Sequence, residues 1–184
     1  MPERYYITIG EYYASRPPVI IRTLLGSCVA VCLYDRQKKI GGMNHILLPG
    51  KADMKHFNMP ARFGVNAMEL LINRIVSLGG RKKALTAKVF GGANILPRIN
   101  KSLAMGDRIV TFVKEFLELE AIEIIKEDTG GTDTRTIYFY TLSGDVFLKR
   151  TPSSLAARLA FQEKQAWHKL KQRHLKVSDM EWFR

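Results

Sequence analysis

Cysteine is scarce here, with two in 184 residues, Cys28 and Cys32. They stand four positions apart on one candidate strand, about 13 Å at the usual rise, too far to bridge each other. A disulfide scaffold is excluded, and both are expected as free thiols. Long apolar runs are also missing. Nothing approaches the roughly 18 residues a membrane helix needs. The stretch "MPERYYITIGEYYASRPP" has no unbroken apolar block of the kind a signal peptide carries. The expected setting is the cytoplasm, without membrane insertion. The four histidines (His45, His56, His168, His174) are scattered, and the cysteine spacing does not suit zinc, so neither metal nor cofactor is expected. Acids are outnumbered, 17 against 29 Lys and Arg, for a net charge of +12. That balance favours an acidic partner. Nucleic acid is not expected as that partner, because aromatic residues do not interleave the basic run from Pro152 to Lys176 as a stacking platform would.

What is present suffices for one globular domain: 46% hydrophobic and 25% charged residues in a chain long enough to bury a core. "YYITIGEYY" and "VIIRTLL" read as strands broken by "SRPP". "CVAVCLY" alternates, with Cys28, Ala30, Cys32 and Tyr34 on one face and Val29, Val31 and Leu33 on the other. "DRQKK" is a turn and "IGGMNHILL" a returning strand. A helix is expected from Pro60 to Leu78, ended by Gly79-Gly80, with Met68, Leu71, Ile72 and Ile75 as its buried stripe. "ALTAKVF" is a strand leading into the turn "GGAN". A second helix is expected from Asp107 to Leu119, followed by the strands "IEIIKE", "RTIYFYT" and "DVFLK". Thr151-Pro152 reads as a cap and first-turn proline opening a third, basic helix. Residues 1–150 are thus expected as the functional domain and 151–184 as a basic helical C-terminal extension.

If Asp35 to Lys38 form a four-residue loop, Tyr34 pairs with Lys39 and Cys28 lies directly opposite His45. Facing residues of an antiparallel pair share a side of the sheet, with Cβ atoms about 5 Å apart. A thiol beside an imidazole is the pairing a cysteine nucleophile uses, the imidazole stabilising the thiolate as an ion pair. Gly26 would allow a tight turn before Cys28, presenting N–H groups near Ser27 and Cys28 to an oxyanion. Thr23, Ser27 and Asn44 are candidates for the third group that orients the imidazole. The competing reading is equally concrete: Cys28 as a small buried hydrophobe, and His45 as a satisfied core residue. Cys32 lacks a preceding glycine and a facing histidine, and reads as core.

"TLLGSCVAVCLYD" followed by "GGMNHILLP" closely resembles CheD, the bacterial chemoreceptor glutamine deamidase family. "ALTAKVFGGAN", "FVKEFLELEAIEIIKEDTGG" and "FYTLSGDVFLKR" follow in the same order, so the likeness spans roughly residues 5 to 150. The resemblance implies a cysteine amidohydrolase that converts receptor glutamines to glutamates. It sets the catalytic cysteine and histidine on Cys28 and His45, and the catalytic threonine on Thr23, with Arg22 where some members place that threonine. The family is similar to cytotoxic necrotizing factor-type deamidases, which implies an α+β fold of stacked β-sheets with helices packed outside. Ile109, in "GDRI", stands where members usually have asparagine. Chemoreceptor cytoplasmic helices are the implied substrate, the phosphatase CheC a further partner, and a monomer the expected state. A non-enzymatic adaptor that binds receptors or CheC is the alternative.

Overall fold

The two faces of one strand feed two different cores. In the computed structural model, which describes residues 2–50, 64–94 and 105–152, β4 (Val29–Asp35) turns Val29, Val31 and Leu33 to one side and Cys32 and Ala30 to the other. This is the alternation read from the sequence. A strand buried on both faces must lie inside a layered fold, and β4 is the middle strand of a five-stranded sheet ordered β2–β5–β4–β6–β7. It pairs with β5 (Ile40–Asn44) and β6 (Leu85–Gly91), and the edges are β2 (Tyr12–Ser15) and β7 (Glu123–Thr129). The second sheet, β1–β3–β8–β9, is built from β1 (Glu3–Tyr6), β3 (Val19–Leu25), β8 (Thr134–Tyr140) and β9 (Val146–Thr151).

Between the sheets lies an inner layer of Ile7, Ile21, Leu25, Cys28, Ala30, Cys32, Met43, Phe90, Ile137 and Phe139. On the other face of the five-stranded sheet, helices α1 (Gly64–Ser77) and α2 (Met105–Leu119) cover the outer core. Helix α1 buries Ala67, Met68, Leu71, Ile72 and Ile75, a stripe at helical spacing, and α2 buries Ile109, Val113 and Leu117. The result is the expected α+β architecture, helix layer on sheet on sheet. The expected segment "YYITIGEYY" divides into β1 and β2, which join different sheets. α2 starts two residues earlier than expected. The proposed start of α1 at Pro60 and the basic helix after Pro152 lie outside the described residues. Thr151, read as a helix cap, is the last residue of β9 and pairs with Thr134.

The β4–β5 register corrects the expected hairpin. Asp35 pairs with Ile40 and Tyr34 with Gly41, so the loop is 36–39 and not 35–38. Asp35 stays in the strand because its buried carboxylate accepts N–H groups from Gln37 (2.9 Å), Lys38 (3.0 Å) and Arg81 (3.0 Å). Burial alone would raise its pKa, but these N–H groups and the Arg81 guanidinium hold it below the ordinary carboxylate value. Lys39 closes the loop at φ 53°. The same ladder continues through the Val29–Ile46 bridge. It therefore sets Ala30 opposite His45, with Cys28 as the diagonal neighbour. A slip of two residues preserves side-chain parity, so both groups remain on the inner face.

Gly42 shows how closely β5 is enclosed. A Cβ added there would lie 2.6 Å from Ala14 Cβ, 2.7 Å from Leu71 Cδ1 and 2.8 Å from the Tyr13 carbonyl. The Gly42→Ala variant is expected to remain folded but to lose about 1–3 kcal/mol by overpacking, read as a lower urea midpoint with an unchanged far-UV spectrum.

Candidate active site

Where β3 hands the chain from one sheet to the other, Leu25 ends the ladder and Gly26 and Ser27 bend before Val29 begins β4. Cys28 is the last residue of this corner and is buried, whereas Ser27 is half-exposed. The segment after β6 grips the corner. Gly92 N–H donates to the Cys28 carbonyl at 2.8 Å, and Ala93 N–H donates to the Gly26 carbonyl at 3.0 Å. Gly91 has φ 111°, and a Cβ there would sit 2.2 Å from the Cys28 carbonyl oxygen, a position only glycine fills without strain. The conformational freedom expected of Gly26 is therefore needed across the ladder: Gly26 is not in the left-handed region, and Gly91 is.

His45 arrives from the opposite direction, one residue past β5. Its N–H donates to the Glu11 carbonyl (3.0 Å) and its carbonyl accepts from Gly10 N–H (2.9 Å). Val29 and Ile46 exchange both backbone bonds beside it, at 3.0 and 2.7 Å. With the backbone held on both sides, the ring crosses the inner layer and sets Nδ1 at 2.8 Å from Thr23 Oγ1, on the other sheet. Thr23 is fully buried, and its hydroxyl also donates to the Ile7 carbonyl at 2.8 Å. A hydroxyl has one proton to give. Because Ile7 receives it, Thr23 accepts from His45 Nδ1–H, which leaves the lone pair on Nε2.

Nε2 is buried and has no hydrogen-bond partner among the described residues. Leaving such a group unsatisfied in a core would cost about 1–3 kcal/mol. Burial also pushes the His45 pKa down from 6.5 to about 3. The imidazole rests neutral, and the imidazolium half of the expected ion pair is disfavoured. The arrangement supplies a buried base with its second nitrogen anchored, in the layer that also holds Cys28.

Of the three groups considered for orienting the imidazole, Thr23 is the one bonded to it. Asn44 points the other way, as its alternation with His45 requires. It accepts Val31 N–H at 3.0 Å and donates to the Ala67 carbonyl and Met68 Sδ, both at 3.3 Å. Cys32 is wholly buried on the same face as Cys28, and desolvation drives its thiol pKa well up. Among the described residues no group of three or more His, Cys, Asp or Glu could hold a metal. His56, His168 and His174 lie outside the described residues.

A family model described as CheD chemotactic sensory transduction matches residues 47–150. The chain is 45% identical over 162 residues to a Shewanella oneidensis protein named "Probable chemoreceptor glutamine deamidase CheD 1", covering 81% of this chain and 78% of that one. A Chromobacterium violaceum protein, similarly named as CheD 2, is 44% identical over 149 residues, covering 80% and 74%. A Vibrio vulnificus protein with the same deamidase name is 37% identical over 182 residues, covering 95% and 84%. The chain belongs to the CheD family. The CheD family-model match begins two residues after His45, so it takes in the Gly91–Asn94 segment and the strands beyond it but not Thr23, Cys28 or His45.

The sequence reading treated "GGAN" as a plain turn and missed its grip on Cys28. The usable signal was the glycine pair directly after an apolar strand, which often marks close backbone approach.

Burial of His45 has a consequence for stability. The unfolded imidazole binds a proton below about pH 6.5, while the native one does so only near pH 3. Stability should therefore fall as pH drops through that window, by up to about 1.4 kcal/mol per unit from this group. His45→Gln is expected to remove this component. Between pH 6.5 and 4.5 the wild type should lose about 2 kcal/mol more than the variant, measured by urea unfolding.

Proposed function

We propose that this chain is a chemoreceptor glutamine deamidase, a cysteine-dependent amidohydrolase acting on glutamine side chains of chemoreceptor cytoplasmic helices. The names of its relatives support the reaction class. The observation that carries the site assignment is the Thr23–His45 hydrogen bond, which supports the tautomer with its lone pair on Nε2, in the layer shared with Cys28. Neither a core histidine nor an adaptor surface requires that arrangement.

In this reading Cys28 Sγ attacks the carboxamide carbon of the glutamine as His45 Nε2 takes the thiol proton. Negative charge moves to the carboxamide oxygen, held by N–H groups of the Gly26-Ser27-Cys28 corner. His45 then returns the proton to the departing nitrogen, so the C–N bond breaks and ammonia leaves a thioester on Cys28. A water molecule, deprotonated by the same Nε2, attacks the thioester carbonyl, and collapse releases glutamate and restores the thiol. Thr23 accepts from Nδ1–H throughout while its own O–H stays hydrogen-bonded to the Ile7 carbonyl, which keeps the ring in one orientation. In this reading the amide approaches from the side of Ser27, which is half-buried next to the buried Cys28.

No helix among the described residues is long and apolar enough to cross a membrane. We infer a cytoplasmic monomer because the substrate helices are cytoplasmic, with CheC as a further partner.

Cys28→Ala should fold normally and fail to convert glutamine to glutamate in a receptor cytoplasmic fragment, read by mass spectrometry. Cys32→Ala should keep the activity and lose about 1 kcal/mol of packing. Conversion by the Cys28→Ala protein at the wild-type rate would defeat the scheme. Thr23→Val, which keeps the shape and removes the hydroxyl, should lower kcat on the order of a hundredfold with little change in KM.

A further inference from the structure

A buried guanidinium stands one step behind the Cys28 corner. After β7 the chain crosses from the five-stranded sheet to the other through residues 130–133, and Arg135, near the start of β8, folds back over that crossing. Its Nε donates to Asp128 Oδ1 at 2.8 Å, its Nη2 to the Gly130 carbonyl at 2.8 Å and its Nη1 to the Asp133 carbonyl at 3.0 Å. The side chain is only 4% exposed. Arg150 adds a second donor to Asp128. Burial alone would raise the Asp128 pKa, but Arg135 and then Arg150 hold it below the usual carboxylate value.

The crossing that Arg135 braces is bonded to the segment that holds Cys28. Gly130 N–H donates to the Gly91 carbonyl at 2.9 Å and Asn94 N–H to the Gly131 carbonyl at 2.7 Å. The four residues Gly91 to Asn94 thus spend their outer two on the crossing and their inner two on the corner, where Gly92 and Ala93 donate to Cys28 and Gly26. In the ladder, Arg135 pairs with Leu25, the residue before Gly26. The backbone of Arg135 therefore runs beside the corner, while its guanidinium braces the crossing to which the strap is bonded.

We infer that Arg135 is a positioning residue for Cys28, acting through the Gly91–Asn94 strap, and this rests on the deamidase reading of the site. A surface arginine would be a poor choice for such work, since a solvated pair holds little. This one uses its planar fork on a carboxylate and two carbonyls at once, a geometry lysine cannot reproduce. Its guanidinium bonds go to Asp128, Gly130 and Asp133, which lie outside the Gly26–Cys28 corner itself. Its effect is on where the corner's N–H groups and the thiol sit, and small displacements of reacting groups are costly.

The test compares the full-length wild type with Arg135→Lys, Asp128→Asn and the double variant, using Gly42→Ala, on β5 and outside both the strap and the corner, as a stability-matched control. Two readouts are needed: kcat and KM for glutamine conversion, and the pH profile of Cys28 alkylation by iodoacetamide, located by mass spectrometry. Arg135→Lys is expected to lower kcat at least tenfold with KM within twofold, and to change the Cys28 alkylation rate at least fivefold. Asp128→Asn should move both readouts in the same direction, and the double variant should be no worse than Arg135→Lys. Gly42→Ala, at a comparable loss of stability, should move neither. Wild-type values for both readouts in Arg135→Lys would overturn the assignment, as would equal changes in Gly42→Ala. Should Arg135→Lys fail to fold, Asp128→Asn alone decides by the same criteria. If the wild type converts no glutamine, the deamidase reading falls, while the alkylation profile still decides whether Arg135 sets the state of Cys28.

Discussion

A single hydroxyl proton organises this molecule's chemistry. Thr23 belongs to one sheet and His45 to the other, and their hydrogen bond crosses the layer between them. Sheets packed face to face stand roughly 10 Å apart, a gap that a threonine and a histidine side chain span together. Because the Thr23 proton is committed to Ile7, the bond has a direction, and the direction fixes which imidazole nitrogen is basic. Either strand sliding by one residue would turn one partner out of the layer. The β3–β8 ladder and the backbone bonds of His45 to Gly10 and Glu11 resist that slide, so much of the sandwich serves to keep one tautomer in place.

Cys28 and Cys32 are the same residue type in different settings. Both thiols are buried, share a strand direction and face the same inner layer. Cys32 sits inside the ladder, paired with Met43 and Lys88, where desolvation suppresses its ionisation. Cys28 sits where the chain passes between sheets, beside a half-buried serine and against Gly91 and Gly92. A corner offers backbone groups outside a regular ladder, which the middle of a strand does not.

Much of this arrangement was legible in the sequence, and the reasons are uneven. Alternation in "CVAVCLY" gave both faces of β4, because a doubly buried strand still sorts its side chains by parity. The hairpin count was off by two, since the Asp35 carboxylate holds its own residue in the ladder. The juxtaposition of Cys28 and His45 on one face survived that slip only because two is even. Parity should also have excluded Asn44, the immediate neighbour of His45. The strap was not legible: Gly91 and Cys28 are far apart in the chain, and backbone-to-backbone bonds leave no periodic trace in side-chain pattern. Arg135 was hidden for a related reason. An arginine at the head of a strand ordinarily means a wet end, and only the fold shows it enclosed by Asp128 and two carbonyls.

Burial of His45 also bears on the proposed reaction. An imidazole whose conjugate acid is as strong as that of His45, near pKa 3, is a weak acceptor. Each unit of mismatch with the donor costs about 1.4 kcal/mol. Burial therefore favours the neutral imidazole before substrate arrives. Transfer becomes favourable only as the sulfur–carbon bond forms and charge moves to an oxygen that the corner's N–H groups can hold. The demand then shifts from the base to those donors, which must already be in place because a weak base leaves little driving force to move them. That is the physical reason a corner tied to Gly92 and Ala93, and through them to a buried guanidinium, suits this histidine better than a flexible loop would. The same low pKa makes the protonated ring a strong acid once charged, well matched to releasing its proton to a departing nitrogen.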